Sequence, residues 1–192
     1  GSKGIYVFAF NRDPVALDLI QTVSGKESPS YLAIHPNKKR LYAVYREGVT
    51  PETKNGSVAA LRIGPSGKLT HMSEQSSEGI GPCHVSVDPQ GQYLYVSNYG
   101  DGSIAVYPLG RDGSLKSASD VVVHEGSGPN PDRQKGPHMH SVVPAENGVY
   151  LYASDLGTDM ITTYVLNRRK GTISTSKAQR IQAKPGSGPR HF

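Results

Sequence analysis

Tyr31, His84, His140 and His191 recur along the chain at intervals of roughly 50 residues, and the first three each open a short run of mostly apolar residues. Imidazole changes charge near neutral pH, so a histidine that meets a substrate can take up or release a proton under ordinary conditions. Arg133, His138 and Arg190 stand beside these positions in the sequence. A guanidinium holds a phosphate or carboxylate through two parallel bonds, or steadies an oxyanion as it forms. His140 or His138 is therefore the expected general base, and Arg133 and Arg190 the expected anion holders, with His84 and His191 as further contacts to the substrate. The competing reading of any one histidine is a polar group that satisfies backbone or channel water. Three histidines converging with two arginines favour a site. Zinc also suits a histidine cluster, but spacings this long form no local ligand pattern, and no metal is expected.

The elements that must position these residues form a repeat. One unit reads Tyr31-Leu-Ala-Ile-His-Pro then Leu41-Tyr42-Ala-Val; the next His84-Val-Ser-Val-Asp-Pro then Leu94-Tyr95-Val-Ser; the third His140-Ser-Val-Val-Pro then Leu151-Tyr152-Ala-Ser. On this alignment Tyr31, His84, His140 and His191 are equivalent, lie on innermost strands and point to one end of a central channel. A third strand follows in each unit (Gly56-Ser-Val-Ala-Ala-Leu, Gly102-Ser-Ile-Ala-Val-Tyr, Asp159-Met-Ile-Thr-Thr-Tyr), and a fourth is expected after Gly67, Gly113 and Gly171. Alternation at period 2 and the absence of helical periodicity predict an all-β chain of four-stranded antiparallel β-propeller blades. The expected bounds are strands within 4–25, blades at about 28–77, 80–125 and 137–183, and the opening of another at 189–192. That is under four blades, whereas seven such blades need roughly 350 residues. An open arc leaves two uncovered flanks, so the chain is expected to occur with them covered, by further blades or by another chain.

Composition agrees with many short strands and turns: 22 Gly, 14 Pro and 11 Tyr, against 3 Phe and no Trp. No run approaches the ~20 apolar residues of a membrane span. The net charge of +5 is scattered over turn-like positions such as Lys38-Lys39-Arg40 and Arg168-Arg169-Lys170. A nucleic-acid groove needs a clustered basic stripe with aromatics, so no nucleic-acid partner is expected, while a mild positive balance suits a small anion. The single Cys83 can form no internal disulfide, which points to a cytoplasmic location; Gly1-Ser2 reads as a cloning remnant, and a leader once ahead of it stays an open alternative.

Asp155 and Asp159 bracket Leu-Gly-Thr ahead of a third strand, where aspartates hydrogen-bond turn amides. Asp155 could also orient a nearby imidazole or meet substrate, and Asn98 is its neutral counterpart in the preceding unit. The stretches around Asn98-Tyr-Gly, Pro137-His-Met-His, Asp155-Leu-Gly with Asp159, and Gly188-Pro-Arg-His together resemble the lactonase family of seven-bladed β-propellers, which includes enzymes of the 6-phosphogluconolactonase and carboxymuconate-lactonizing types. The resemblance runs from Gly4 to Phe192. It implies hydrolysis of a small anionic sugar-phosphate lactone, with no cofactor and no metal, in which His140 or His138 acts with Arg133. It also implies an acid at the end of a second strand, where Glu47 stands; the competing reading of Glu47 is a solvated turn residue. Remaining blades, and a further acid soon after the Arg190-His191 motif, are implied beyond Phe192. A muconate-type lactonizing cycloisomerase and a non-catalytic binding platform are the alternatives.

Overall fold

The computed structural model describes residues 3–26, 28–46 and 56–192, so Glu47 lies outside the described residues. Among the described residues there are fourteen strands and no helix, hence none long and apolar enough to cross a membrane. A two-stranded sheet pairs β1 (Ile5–Arg12) with β2 (Val15–Val23). Three four-stranded antiparallel sheets follow, each in simple sequence order. They hold β3 (Pro29–Ile34), β4 (Arg40–Tyr45), β5 (Ser57–Ile63) and β6 (Leu69–Ser76); β7 (Pro82–Val87), β8 (Tyr93–Asn98), β9 (Ser103–Pro108) and β10 (Asp120–Val123); and β11 (Met139–Pro144), β12 (Tyr150–Asp155), β13 (Met160–Asn167) and β14 (Thr172–Gln182). The first strands sit side by side, β7 lying against both β3 and β11, as the innermost strands of neighbouring propeller blades do.

The central strands are apolar on both faces because each sheet packs between two others. In β4, Tyr42 and Val44 point into one core with Val85, Leu94 and Val96, while Ala43 and Tyr45 point into another with Ile5 and Leu61. In β9, Ala105 and Tyr107 join the first of these cores and Ile104 and Val106 join a third, with Met139, Leu151 and Tyr164. Period-2 alternation thus feeds alternate residues to opposite neighbours. The tyrosines that replace tryptophan also bond across the gaps: the Tyr42 hydroxyl donates to Gly113 O at 2.9 Å and the Tyr107 hydroxyl to Ser76 O at 2.7 Å. Each fills an inter-sheet core and satisfies its polar tip on the next sheet; emptying such a site costs on the order of 3–5 kcal/mol.

Two expectations need correction. In the second full sheet the fourth strand does not follow Gly113. Leu115 makes only a single bridge to Leu109, because its side chain packs in the core and its amide donates to Ser73 Oγ of the neighbouring sheet. Pairing with β9 resumes at Asp120. The repeat register also shifts by one residue. Each inner strand bulges at its second residue, between Pro29 and Tyr31, between Pro82 and His84, and between Met139 and Ser141. Tyr31 then faces Val44, His84 faces Ser97, and Ser141 faces Ser154. His140 is therefore equivalent to Ser30 and Cys83, and Ser141 is equivalent to Tyr31 and His84. The turns after β3, β7 and β11 are equally long, and Ser30, Cys83 and His140 each stand 11 residues before Leu41, Leu94 and Leu151, so the longer step from His140 to Leu151 was the trace of the offset.

The flanks of the arc are apolar and open. Tyr6, Phe8 and Phe10 of β1 and Leu17 and Leu19 of β2 are exposed at one end, and Tyr150, Tyr152 and Ile181 at the other.

Candidate active site

The three bulges do one job: they swing Ser30, Cys83 and His140 out of the ladder at the same end of the inner strands, where all three line a cleft of about 760 Å³. Arg190 lines the same cleft, in the segment that follows β14. The residues immediately after the second strands β4, β8 and β12, namely Arg46, Tyr99 and Leu156, form a second tier. Tyr31, Arg133 and His191 complete the wall.

At the floor, Arg190 Nε donates to His140 Nε2 at 3.0 Å. That bond fixes the tautomer, with the proton of the neutral ring on Nδ1. Burial, then the positive charges of Arg190 and His191, push the His140 imidazole down to about 4. It is neutral throughout the physiological range. His191 stands edge-on to it with ring centres 4.9 Å apart. His84 lies below this layer, buried, with its ring 4.4 Å from Tyr31 and 5.9 Å from His191. Its Nδ1 accepts from Val142 N, and burial followed by the neighbouring histidines pushes it down to about 4 as well. Tyr31, His84, His140 and His191 therefore do gather at one end, as expected, although His84 is floor rather than wall.

Along the side wall, the Tyr99 ring stacks on His138 at 4.3 Å with an interplanar angle of 7°, and Arg133 Nη2 donates to the Tyr99 hydroxyl at 3.3 Å. The His138 ring donates from Nδ1 to Tyr99 O at 2.7 Å. His138 is thus a brace behind Tyr99 and does not reach the cleft lining. The structure also keeps Asn98 and Asp155 away from it. Asn98 is fully buried, with Nδ2 donating to Ser77 O and Ser103 Oγ. Asp155 is fully buried; its Oδ1 takes the amides of His138 and Gly157, and its Oδ2 pairs with His124 Nδ1 at 3.1 Å. Burial alone would raise the Asp155 carboxyl, but hydrogen bonds from His124 and the His138 amide hold it below the usual range. Asp155 does orient an imidazole, that of His124, whose Nε2 meets the Tyr164 hydroxyl. Asn98, Asp155 and His84 are buried and His138 is held by Tyr99 O, so none of these four expected site side chains lines the cleft.

Asp159 anchors two lining segments at once. It has φ +57° and is buried; its Oδ1 accepts from Gln134 Nε2 and Gly188 N, both at 2.8 Å, and its Oδ2 from Gly186 N at 2.6 Å. Gln134 follows Arg133, and Gly188 precedes Pro189 and Arg190. One carboxylate therefore ties together the loops that carry both expected anion holders.

Arg46, Cys83, Ser30, Tyr99 and Leu156 escaped the sequence reading as site residues. Aligning the repeat on the ends of its second strands, Tyr45, Asn98 and Asp155, would have picked out the residue after each as one tier. Among the described residues no group of three or more His, Cys, Asp and Glu side chains could hold a metal.

Residues 1–192 match the family model described as "Lactonase, 7-bladed beta-propeller". The chain is 37% identical to the 6-phosphogluconolactonase of Bacillus subtilis over 195 residues, covering 100% of the chain and 52% of that protein. A candidate 6-phosphogluconolactonase structure from Bacteroides fragilis superposes with a TM-score of 0.86 at 35% identity, covering 99% of the chain and 53% of the other. The periplasmic gluconolactonase of Pseudomonas aeruginosa superposes with a TM-score of 0.86 at 32% identity, with 99% and 54% covered. The chain spans about half the length of these relatives. Its bulged inner strands, its blade-by-blade cores and the match along its whole length agree: the chain belongs to the family of seven-bladed β-propeller lactonases.

Proposed function

We propose that the intact protein hydrolyses a sugar-phosphate lactone of the 6-phosphogluconolactone kind, with His140 as general base and Arg190 as oxyanion holder. The observation that carries this reading is the Arg190 Nε to His140 Nε2 bond at the floor of a cleft lined by three arginines and, among the described residues, no carboxylate. As the lactone enters, its carbonyl oxygen replaces His140 Nε2 as the acceptor for Arg190. The freed Nε2 takes a proton from a water that attacks the carbonyl carbon. The tetrahedral oxyanion then collapses, the ring C–O bond breaks, and the imidazolium returns the proton to the alkoxide leaving group. Burial is the larger cause of the low His140 imidazole, but an anionic substrate offsets the arginine charges that add to it, which raises its basicity when a proton must move.

The test is hydrolysis of 6-phosphoglucono-δ-lactone by the intact protein, followed as acid release. Hydrolysis lost with His140→Ala supports the reading; cyclisation of a muconate without lactone hydrolysis overturns it in favour of a lactonizing cycloisomerase.

The same reading places further blades of the protein over the exposed Phe10, Leu17 and Ile181 faces, supported by relatives about twice as long. Light scattering of the 192-residue chain alone is then expected to show association, and a stable 20.6 kDa monomer with a cooperative unfolding transition overturns it. One free cysteine supports a cytoplasmic location, which cell fractionation checks.

A further inference from the structure

We propose that Arg46 and Arg133, which line the cleft together with Tyr99, form a phosphate subsite separate from the His140–Arg190 pair. This rests on the lactonase reading and adds where the substrate's phosphate goes.

Arg46 is set there by glycine. A Cβ placed on Gly81 would lie 3.3 Å from Arg46 Nη2 and 3.7 Å from its Nε, and Gly81 has φ +64°, so the guanidinium lies across bare backbone. Arg133 is held by the Tyr99 hydroxyl, which accepts from Nη2. A phenol that accepts still has its own O–H to give, so Tyr99 can donate to an anion between the two arginines.

Among the described residues the charges around the cleft have no carboxylate to compensate them. Elsewhere some cations do find acceptors: Lys26 meets Glu74, Arg168 meets Asp88, and Arg40 Nε bonds Asp112 O. Neither Arg46 nor Arg133 has a carboxylate partner among the described residues, and none lines the cleft. Both fields are felt inside it: burial raises the Cys83 thiol while Arg46 and Arg190 pull it back down, and burial lowers the His140 imidazole, which Arg190 and Arg133 lower further. Arg190 is engaged with His140 through Nε, and Arg133 with the Tyr99 hydroxyl through Nη2 alone, which leaves the other donors of its fork for an anion. Two guanidiniums and a phenol offer enough donors for the three oxygens of a phosphate dianion. A cleft of about 760 Å³ accommodates a hexose lactone with its phosphate.

In the intact protein, kcat/KM is measured for 6-phosphoglucono-δ-lactone and for unphosphorylated glucono-δ-lactone with the Arg46→Gln/Arg133→Gln double variant. Arg111→Gln, an exposed arginine outside this cleft, controls for net charge. The ratio of the two specificity constants is expected to fall roughly 100-fold in the double variant, mainly through KM, and to stay put in the control. Inorganic phosphate, titrated by calorimetry, is expected to bind the wild type and not the double variant. An unchanged ratio, an equal fall in the control, or phosphate binding that survives the double substitution overturns the subsite. If neither lactone is hydrolysed by the wild type, the lactonase reading fails, and phosphate titration alone then decides the subsite.

Discussion

The inner strands have two ends, and the chain treats charge differently at each. At the far end, where β7 and β13 stop, Asp88 is fully buried; its Oδ1 takes the Gln92 and Tyr93 amides, and Arg168 approaches its Oδ2 to 3.2 Å in an ionic contact. The same guanidinium also bonds the Gln90 and Gln92 side chains. That end is closed on itself. At the near end the strands bulge, Arg46 and Arg133 have no carboxylate among the described residues, and two imidazoles are held neutral by burial and by surrounding positive charge. Uncompensated like charge opposes folding, so it persists where a ligand supplies the missing sign. One backbone plan, repeated blade by blade, gives a locked rim and a rim prepared for an anion.

The largest expected break in this contrast is at the near end. His140→Ala is expected to lower the turnover of the intact protein on its lactone by about 100-fold or more, the usual scale for a lost general base. Rates are to be normalised to folded protein. A loss of tenfold or less would remove His140 from the role and leave the near end merely cationic.

How far the sequence showed this end follows from what a repeat encodes. The strands were legible because alternate residues face alternate cores, and the glycines and prolines between them mark turns. The gathering of Tyr31, His84, His140 and His191 was legible because equivalent positions of equivalent blades must converge. A bulge was not, since an extra residue in one strand leaves no compositional mark; its one trace is that His140 stands 11 residues before Leu151, whereas Tyr31 and His84 stand 10 before Leu41 and Leu94. His140 consequently entered the right cluster by the wrong equivalence. Asn98 and Asp155 were read as site residues because polar residues near a mouth look alike in sequence. Only the hydrogen bonds into Ser77, Ser103 and His124 show that they face inward. Tyr99 and Arg46 were missed because neither residue type stands out alone, and their shared position after a second strand matters only once the strand ends are fixed.

The second expected effect is a dependence of stability on pH that belongs to the near end. Buried His84 stays neutral in the fold down to about 4, whereas its ordinary value is 6.5. Between these values the unfolded chain binds more protons than the folded one, so stability falls as pH drops and levels off below the folded value. A loss of about 2 kcal/mol from His84 is expected between pH 7 and pH 5. Denaturant midpoints of the intact protein at the two pH values measure it, and His84→Gln should reduce the difference to the part that His140 contributes. If that variant keeps the same slope, the near end does not hold His84 neutral.

The far end makes the opposite prediction. Arg168→Ala leaves Asp88 buried without its counter-ion; because the Arg168 side chain is 30% exposed, water offsets part of the cost, and about 1–2 kcal/mol is expected. Lactone turnover per folded molecule should not change. A rate defect with stability intact would mean that the two ends are coupled.

The smallest expected effect tests how the near end is held in place. Asp159→Asn keeps one carbonyl oxygen where the native carboxylate has two acceptors, so an amide N–H must face Gly186 N, Gly188 N or Gln134 Nε2, all of which are donors. The loop before Arg190 or the segment after Arg133 then loses an anchor, while the cores between sheets keep every apolar contact. A merely structural role would move the unfolding midpoint and leave kinetics per folded molecule alone. A positioning role lowers kcat/KM by about fivefold, equivalent to about 1 kcal/mol, because two guanidiniums lose alignment without losing charge. The pH profile separates the two further. If Arg190 drifts from His140, one of the positive charges that depress the imidazole recedes, and the acid limb of kcat/KM in the free enzyme should move to higher pH. A fivefold loss with an unmoved acid limb would place the defect in Arg133 alone, and no kinetic change at all would confine Asp159 to holding the loops together.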